Sequence, residues 1–488
     1  MNGHVSWRDY AGLQGFGQAS GEEVSDLRKA LSAGQDIGAP AVAAGEGFPL
    51  RVESLENTLK TVTYKMDDVR LWSSVTKLPA YNTVEEVNLL KEYGSGVAAF
   101  IDEGDLPESD DSTFERSYTV IKYMGTTRSV THVMSLIRPA HGNVIAQETI
   151  NGTAWLLRQL ERALFFGDSS MIPIQFDGVL KLIQDNAPNP NLNVLDLRGK
   201  PLTEDFLNDG ALIVKTEPNY GRATDLYCAD GAFSDLAKQF YPAERYNVPT
   251  SGWNQGMVGM NIQGFFSQFG PIKFNPDTFI QFGPSAPTTA TGPTGKRPDT
   301  PTESVAPAAG AVAGGETSLF VAADAGDYYY SVSAINRYGR SAAVAMTGPV
   351  TVAAGEKVTM TVADGSIAGT AFEMYRSEMD AAAAGSERYC NTQARSAATT
   401  VLTDLNHDLP GTSKATLIQQ NLEFFSFKQL CPFLKIPLAT VSTAVRWMQL
   451  LYGSPTVYSP GRAVIYKNVG RAPGSSGLDN AALNSLMH

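Results

Sequence analysis

The chain has 488 residues, 43% of them hydrophobic and 18% charged, which describes a globular protein with room for a few domains and a sizeable core rather than a disordered one. Its net charge of -12 argues against a protein that wraps nucleic acid, because phosphate binding needs an excess of Lys and Arg. Cys228, Cys390 and Cys431 lie far apart without a CxxC pairing, so they offer no zinc framework and read as buried, small hydrophobes in a reducing compartment.

The first residues, MNGHVSWRDYAGLQGFG, have neither the basic start nor the apolar run of a signal peptide. Residues 1–50 are rich in Gly and Ala apart from GEEVSDLRKALSAG, where Val24, Leu27, Ala30 and Leu31 share one helical face. Such a segment gains more by lying on a neighbour than by folding alone, so an N-terminal arm is expected. From residue 49 the texture changes to mixed helix-like and strand-like pieces. Tyr118, Val120 and Lys122, then Ser129 to Ile137, alternate in the β manner. With the acidic, turn-rich stretch beside them they predict a long β-excursion that leaves the body and returns.

Residues 143–167, NVIAQETINGTAWLLRQLERALFFG, predict the clearest helix of the chain. Asn143 is the expected N-cap and Gly167 the stop, and Ile150, Ala154, Leu157, Leu160 and Leu164 form one apolar stripe. A helix of that length runs roughly 35 Å, enough to act as a beam across a domain. Gly152 inside it costs about 1 kcal/mol relative to Ala, so close packing is expected there. Further on, ALIVKT and IKFNP read as strands, and DGAFSDLAKQFYP as a helix capped by Asp230 and ended by Pro242, with Phe233, Leu236, Ala237 and Phe240 on one face. The uncharged run 246–272 is studded with Gly, Asn, Gln and Ser, so no membrane span is predicted.

Residues 283–315 are so rich in Pro, Ala, Gly and Thr that they read as a linker. Strand-like runs then recur at short spacing: SLFVAA, YYYSVSAIN, VTMTVA, FEMYRS, SERYCN and TTVLTDL. In the second, Tyr328, Tyr330, Val332 and Ala334 are expected to face a core, and Tyr329, Ser331 and Ser333 to face water. A small β-sandwich inserted into a loop of an α+β body is the expectation for 286–415. The mixed pattern resumes after it, and the tail from Arg471 reads as polar and mobile.

Motifs of chemistry are sparse. The acidic cluster DEGDLPESDD (Asp102, Glu103, Asp105, Glu108, Asp110 and Asp111) lacks the spacing and terminal Glu of an EF-hand loop. It reads first as a solvated loop tip and second as a tip that pairs with Lys or Arg of a neighbouring subunit. His4, His132, His141, His407 and His488 stand in no HExxH or HxH spacing and read as structural. GFGQASG and GPTGKR miss the nucleotide-binding patterns, and GxSxG does not occur. Asp67 with Asp68, and Glu85 with Glu86, are adjacent pairs whose side chains diverge. No catalytic, cofactor-binding or metal-binding residue is assigned, and no cofactor is expected.

The order of parts resembles the major capsid proteins of tailed bacteriophages, with the Hong Kong 97-type fold. LRVESLENTLKTVT with LWSSVTKLPAYNTVEEVNLLKEYG is similar to the lead into that family's extended loop. FIDEGDLPESDDSTFERSYTVIKYMGTTRSVTHVMSLI is similar to the loop and its return, NGTAWLLRQLERALFFGD to the spine helix, and AVRWMQLLYGSPTVYSPGRAVIYKNVG to the closing strands. The resemblance implies an α+β subunit divided as follows: arm 1–50; extended loop and part of a peripheral domain 51–142; spine helix 143–174; axial domain 175–285; linker and inserted immunoglobulin-like sandwich 286–415; return of the axial and peripheral domains 416–475; and a flexible tail 476–488. It further implies self-assembly in the host cytoplasm into hexamers and pentamers of an icosahedral shell around double-stranded DNA. Scaffold, portal and cement proteins would be the other partners, and the sandwich would be displayed outside. The sandwich departs from the fibronectin type III order, since YYYSVSAINRYGRS precedes FEMYRSEMD. An encapsulin-type compartment and a secreted adhesin or carbohydrate-binding protein are the alternatives.

Overall fold

The computed structural model describes residues 63–65, 68–94, 100–104, 106, 109–137, 142–244, 262–439 and 443–472. The expected arm, with Val24 to Leu31, and the residues after 472 lie outside that set. Two compact units are present, Met1–Val62 with Ile137–Asn143, and Thr63–Leu136 with Val144–His488. The second holds nearly all described residues and is the one built up below.

It opens with a short helical turn, α1 (Leu71–Ser74), and strand β1 (Lys77–Pro79). Strands β2 (Val84–Glu92) and β3 (Thr113–Val120) then form a hairpin, and the chain returns along β4 (Lys122–Thr131) into α2 (His132–Leu136). The expected β-excursion is present, although its alternation stops at Thr131 and His132–Leu136 is helical.

Helix α3 (Val144–Phe166) is the expected beam. Its inward face is Leu156, Leu157, Leu160, Ala163, Leu164 and Phe165, all buried, whereas Ile150 of the expected stripe is exposed. The apolar stripe thus meets the core only along the C-terminal half. Gly152 is buried against Gln449, whose Nε2 donates to Thr149 O (2.7 Å) and Thr153 Oγ1 (3.2 Å), so the close approach expected there is found. At the C-terminus the Gly167 N–H donates to Ala163 O (2.8 Å), and a Cβ on Gly167 would meet the Phe176 and Ala163 carbonyls.

Beyond it come α4 (Val179–Asn186), β5 (Val194–Asp196), α5 (Glu204–Lys215), β6 (Asp225–Cys228), α6 (Asp230–Glu244), β7 (Gly264–Ser267) and β8 (Gly270–Pro276). IKFNP is a strand as expected, but ALIVKT falls in α5 and its end. Leu207, Ala211 and Val214 are buried at three- and four-residue steps, so helical period overrides the local β-branched run. Helix α6 also runs past Pro242, which falls in its last turn rather than ending it.

The chain then leaves this frame at Gly283, whose N–H donates to Thr412 O (3.0 Å), so departure and return lie side by side. The stretch expected to be a linker is structured: Thr302–Ala311 is strand β9. SLFVAA makes no strand, since Ala322–Asp324 is a 3-10 turn. There follow β10 (Gly326–Tyr328), β11 (Tyr330–Asn336), β12 (Gly339–Arg340), β13 (Val344–Ala345), β14 (Val350–Val352), β15 (Glu356–Ala363), β16 (Ala371–Arg376), β17 (Arg388–Ala394) and β18 (Thr399–Asp404). They form a sheet in the order β12-β11-β16-β17 with β13 also on β11, a second in the order β18-β15-β9, and the pair β10-β14.

A core separate from that of the frame lies among them, including Tyr330, Val332, Met360, Phe372, Met374 and Leu402. Tyr328, Tyr330, Val332 and Ala334 face it as expected. The opposite face of β11 is not wet: Ser331 and Ser333 are buried, and Ser333 Oγ donates to Ser341 O (3.0 Å) while Ala334 N donates to Ser341 Oγ (2.9 Å). The returning loop supplies the hydrogen bond for Ser333, so alternation of polarity did not mean alternation of exposure. Arg376 is buried between the rings of Phe320 and Tyr328 (5.2 and 5.1 Å) and pairs with Asp404 at 2.6 Å. Its Nη2 donates to Asn406 Oδ1 (2.7 Å), and Arg198 of the frame donates to Asn406 O (2.7 Å), Leu319 O (3.1 Å) and Asp324 Oδ2 (3.1 Å).

Strands β19 (Ser413–Ile418), β20 (Phe425–Pro437), β21 (Ala444–Val457) and β22 (Ala463–Val469) close the frame. Its two sheets have the orders β5-β22-β19-β6-β8-β7 and β1-β20-β21-β4, over one shared core that includes α3. The expected mobile tail does not begin at Arg471, which is buried and pairs with Asp235 at 2.7 Å. Cys228 and Cys390 are buried as expected, whereas Cys431 is half-buried on β20, where the register to β21 shifts. The α+β class holds, and hairpin, long helix, mixed frame, β-rich excursion and closing strands follow in the expected order.

Candidate assembly surface

The hairpin has no interior. Among its described residues from Val84 to Val120 none is buried. Register sets its two faces: Val84 opposes Val120, Glu86 opposes Tyr118, Asn88 opposes Arg116 and Leu90 opposes Phe114. That face carries Val84, Leu90, Phe114, Tyr118 and Val120, with Phe114 and Tyr118 about 70% exposed. Across its middle Arg116 bonds Glu86 Oε2 (3.1 Å) and Asn88 Oδ1 (3.2 Å). The other face holds Glu85, Val87 and Leu89, half-buried, opposite Thr119, Ser117 and Glu115.

Only the root is fixed. Ile121 is buried and its N–H donates to Thr83 O (2.9 Å), and Thr456 Oγ1 bonds Thr119 Oγ1 (3.1 Å). Glu85 Oε1 accepts from Tyr81 N (2.6 Å) and Asn82 N (2.9 Å), which holds its carboxyl below the ordinary range, while Glu86 turns to Arg116. The two neighbouring acids diverge, as expected of a strand. An isolated hairpin is marginal in water, so one this apolar on its open face gains most by being covered. Each large side chain covered contributes about 1.5–3 kcal/mol.

At the far end Asp102, Glu103, Asp110 and Asp111 are exposed, while Asp105 and Glu108 lie outside the described residues. The structure brings the four to one loop. The sequence reading missed what stands among them: Tyr93, Phe100 and Leu106 are each at least 87% exposed. Their apolar type beside acids in a turn-rich loop was the available signal. At the end of β4 away from the hairpin, Val133, Met134 and Leu136 of α2, with Ile150 and Trp155 of α3, are also exposed.

No group of three or more His, Cys, Asp or Glu among the described residues is placed to hold a metal ion. His132 and His407 are exposed, and His407 Nε2 bonds Thr317 O (2.9 Å); His4, His141 and His488 lie outside the described residues. No described helix is long and apolar enough to cross a membrane.

Comparison with known proteins gives this surface its context. The chain is 24% identical over 446 residues to the major capsid protein of Staphylococcus phage S25-3, covering 86% of this chain and 90% of that one. A relative from Enterococcus phage phiEF24C is 27% identical over 242 residues, 48% of this chain and only 50% of that protein. Among solved structures, the capsid of the native GTA particle is similar with a TM-score of 0.46 and 9% identity, covering 90% of this chain and 100% of that one. No family model matches the chain. The chain is a homologue of phage major capsid proteins.

Proposed function

We propose that this chain is the structural subunit of a virion shell, assembling through its hairpin into hexamers and pentamers of an icosahedral capsid that encloses double-stranded DNA. The observation that carries the reading is the coreless hairpin with five apolar side chains on one open face, in a chain whose curated homologues are named for capsids. Those homologues are phage proteins, which favours a virion over a cellular compartment. The role is structural rather than enzymatic: subunits interlock by many contacts repeated by symmetry.

On this reading the division is arm 1–50, extended loop and part of the peripheral domain 51–142, spine helix 143–174, axial domain 175–285, inserted module 286–415, return 416–475 and tail 476–488. Two sheets over a core of their own support an immunoglobulin-like assignment for the module, displayed on the shell exterior. Asp102, Glu103, Asp105, Glu108, Asp110 and Asp111 form a contact tip for basic groups of the adjacent subunit, and the shell receives scaffold, portal and cement proteins.

The test is electron microscopy and sedimentation of the purified full chain beside a Phe114→Ala/Tyr118→Ala variant. Closed shells, or rings of five and six, are expected for the parent. The variant should stay dispersed with an unchanged melting temperature. A parent that remains monomeric with scaffold and portal supplied overturns the reading.

A further inference from the structure

A pair of buried acids lies under α3, away from the hairpin. Glu161 and Asp277 are both fully buried. Glu161 Oε1 accepts from Leu71 N (2.5 Å) and Oε2 from Trp72 N (2.9 Å), so its carboxyl holds the first turn of α1. Asp277 follows β8, and its Oδ1 accepts from Phe279 N (2.7 Å). Its Oδ2 is buried without a partner among the described N–H and O–H donors. The two carboxyl groups are in hydrogen-bond contact. Two carboxylates cannot bond one another; one of the four oxygens must carry a proton.

Ionisable groups face the pair from three elements. From the α1 side Arg70 acts on Asp277 and Lys77 on Glu161, but Lys77 Nζ is turned to Trp72 O (2.5 Å) and the Trp72 ring (4.6 Å). From β6 come Tyr227, its phenol pushed up, and Cys228, its thiol pushed up to about 12, both by burial first. From α6 Asp230, itself raised by burial, adds a third acid. Burial, then Asp277, pushes the Glu161 carboxyl up to about 8.

We propose that Glu161 and Asp277 share one proton and form a proton-operated joint, fastening α1 to α3 and to the turn after β8, and opening when that proton leaves. Ionising both groups would leave two like charges without water, and the hydrogen bond between them would go with the proton. Release of α1 would free the chain just before β1, which stays paired to β20. The joint is a property of the folded subunit and does not depend on the shell reading.

The sign follows from proton counts. An exposed Glu titrates near 4.3, so between about pH 4.5 and about pH 8 the folded chain holds a proton the unfolded chain has lost. Stability contributed by the pair is therefore greatest below that window and falls as pH rises through it, up to tenfold in the folding constant per pH unit, then levels off.

The experiment is hydrogen exchange on the full-length protein at about pH 6 and about pH 9, corrected for intrinsic rates, comparing the parent with Asp277→Asn. The asparagine amide would donate permanently to Glu161, and its oxygen would still accept from Phe279 N. Protection of the peptide spanning residues 71–74 should fall at least tenfold at the higher pH in the parent and stay flat in D277N. No fall in the parent, or an equal fall in D277N, overturns the proposal. Should D277N not fold, infrared difference spectra of the parent between the same two pH values decide. A protonated-carboxyl band should vanish at the higher pH, and its absence at the lower pH overturns the shared proton.

Discussion

The hairpin β2–β3 and the module of β9–β18 both leave the same frame, yet they are built on opposite terms. The module has its own buried core and is pinned by Arg198 and Asn406 to the frame. The hairpin has no buried described residue and is fastened only at its root. A part that carries its own core keeps its shape alone; a part that does not depends on what covers it. Apolar exposure, rather than charge, separates the two.

The strongest way to break this contrast is Arg376→Met, which leaves Asp404 buried without its cation. Removing one partner of a buried pair costs about 3–5 kcal/mol, so a urea titration followed by module-specific proteolysis should show the module opening well before the frame. An unchanged midpoint would mean that the rings of Phe320 and Tyr328 hold the module without the charge.

A smaller effect is expected at the hairpin tip. Neutralising Asp102, Glu103, Asp110 and Asp111 to their amides should leave melting unchanged and slow assembly about tenfold at low salt, read by light scattering. The difference should shrink as salt is raised, since exposed charges are screened within roughly 10 Å at 0.1 M. Assembly as fast as that of the parent would assign tip contacts to Phe100 and Leu106 instead.

The smallest effect belongs to Arg116→Ala. Arg116 and Glu86 are 66% and 55% exposed, so breaking their pair should cost no more than a few tenths of a kcal/mol in the unassembled subunit. A loss above about 1 kcal/mol, measured by thermal melting, would show that the hairpin is more self-sufficient than its exposure indicates.

Helix α3 was legible because apolar residues recur at its period between a turn and Gly167, and Gly152 marked the approach of Gln449. Its working face was not fully legible, because Ile150 has the right spacing but no core opposite it. ALIVKT misled through Ile213 and Val214, whose partners Leu207 and Ala211 lie in the preceding turns. The stretch 283–315 misled by composition: β9 is made of small residues that pair with β15, and backbone pairing leaves little trace in hydropathy. For the candidate surface, charge was readable and placement was not. Whether Phe114 and Tyr118 are covered depends on register and on surroundings, neither of which a local pattern encodes. The Glu161–Asp277 contact joins residues more than a hundred positions apart and had no local signature.

The bond from Gly283 N to Thr412 O has a practical meaning. To the frame, the whole excursion is indistinguishable from a tight turn, because its two ends already meet. Such a gap can be bridged by a few residues or filled by any domain whose termini lie as close, with little added loop-closure entropy. The position is a ready socket for a foreign domain.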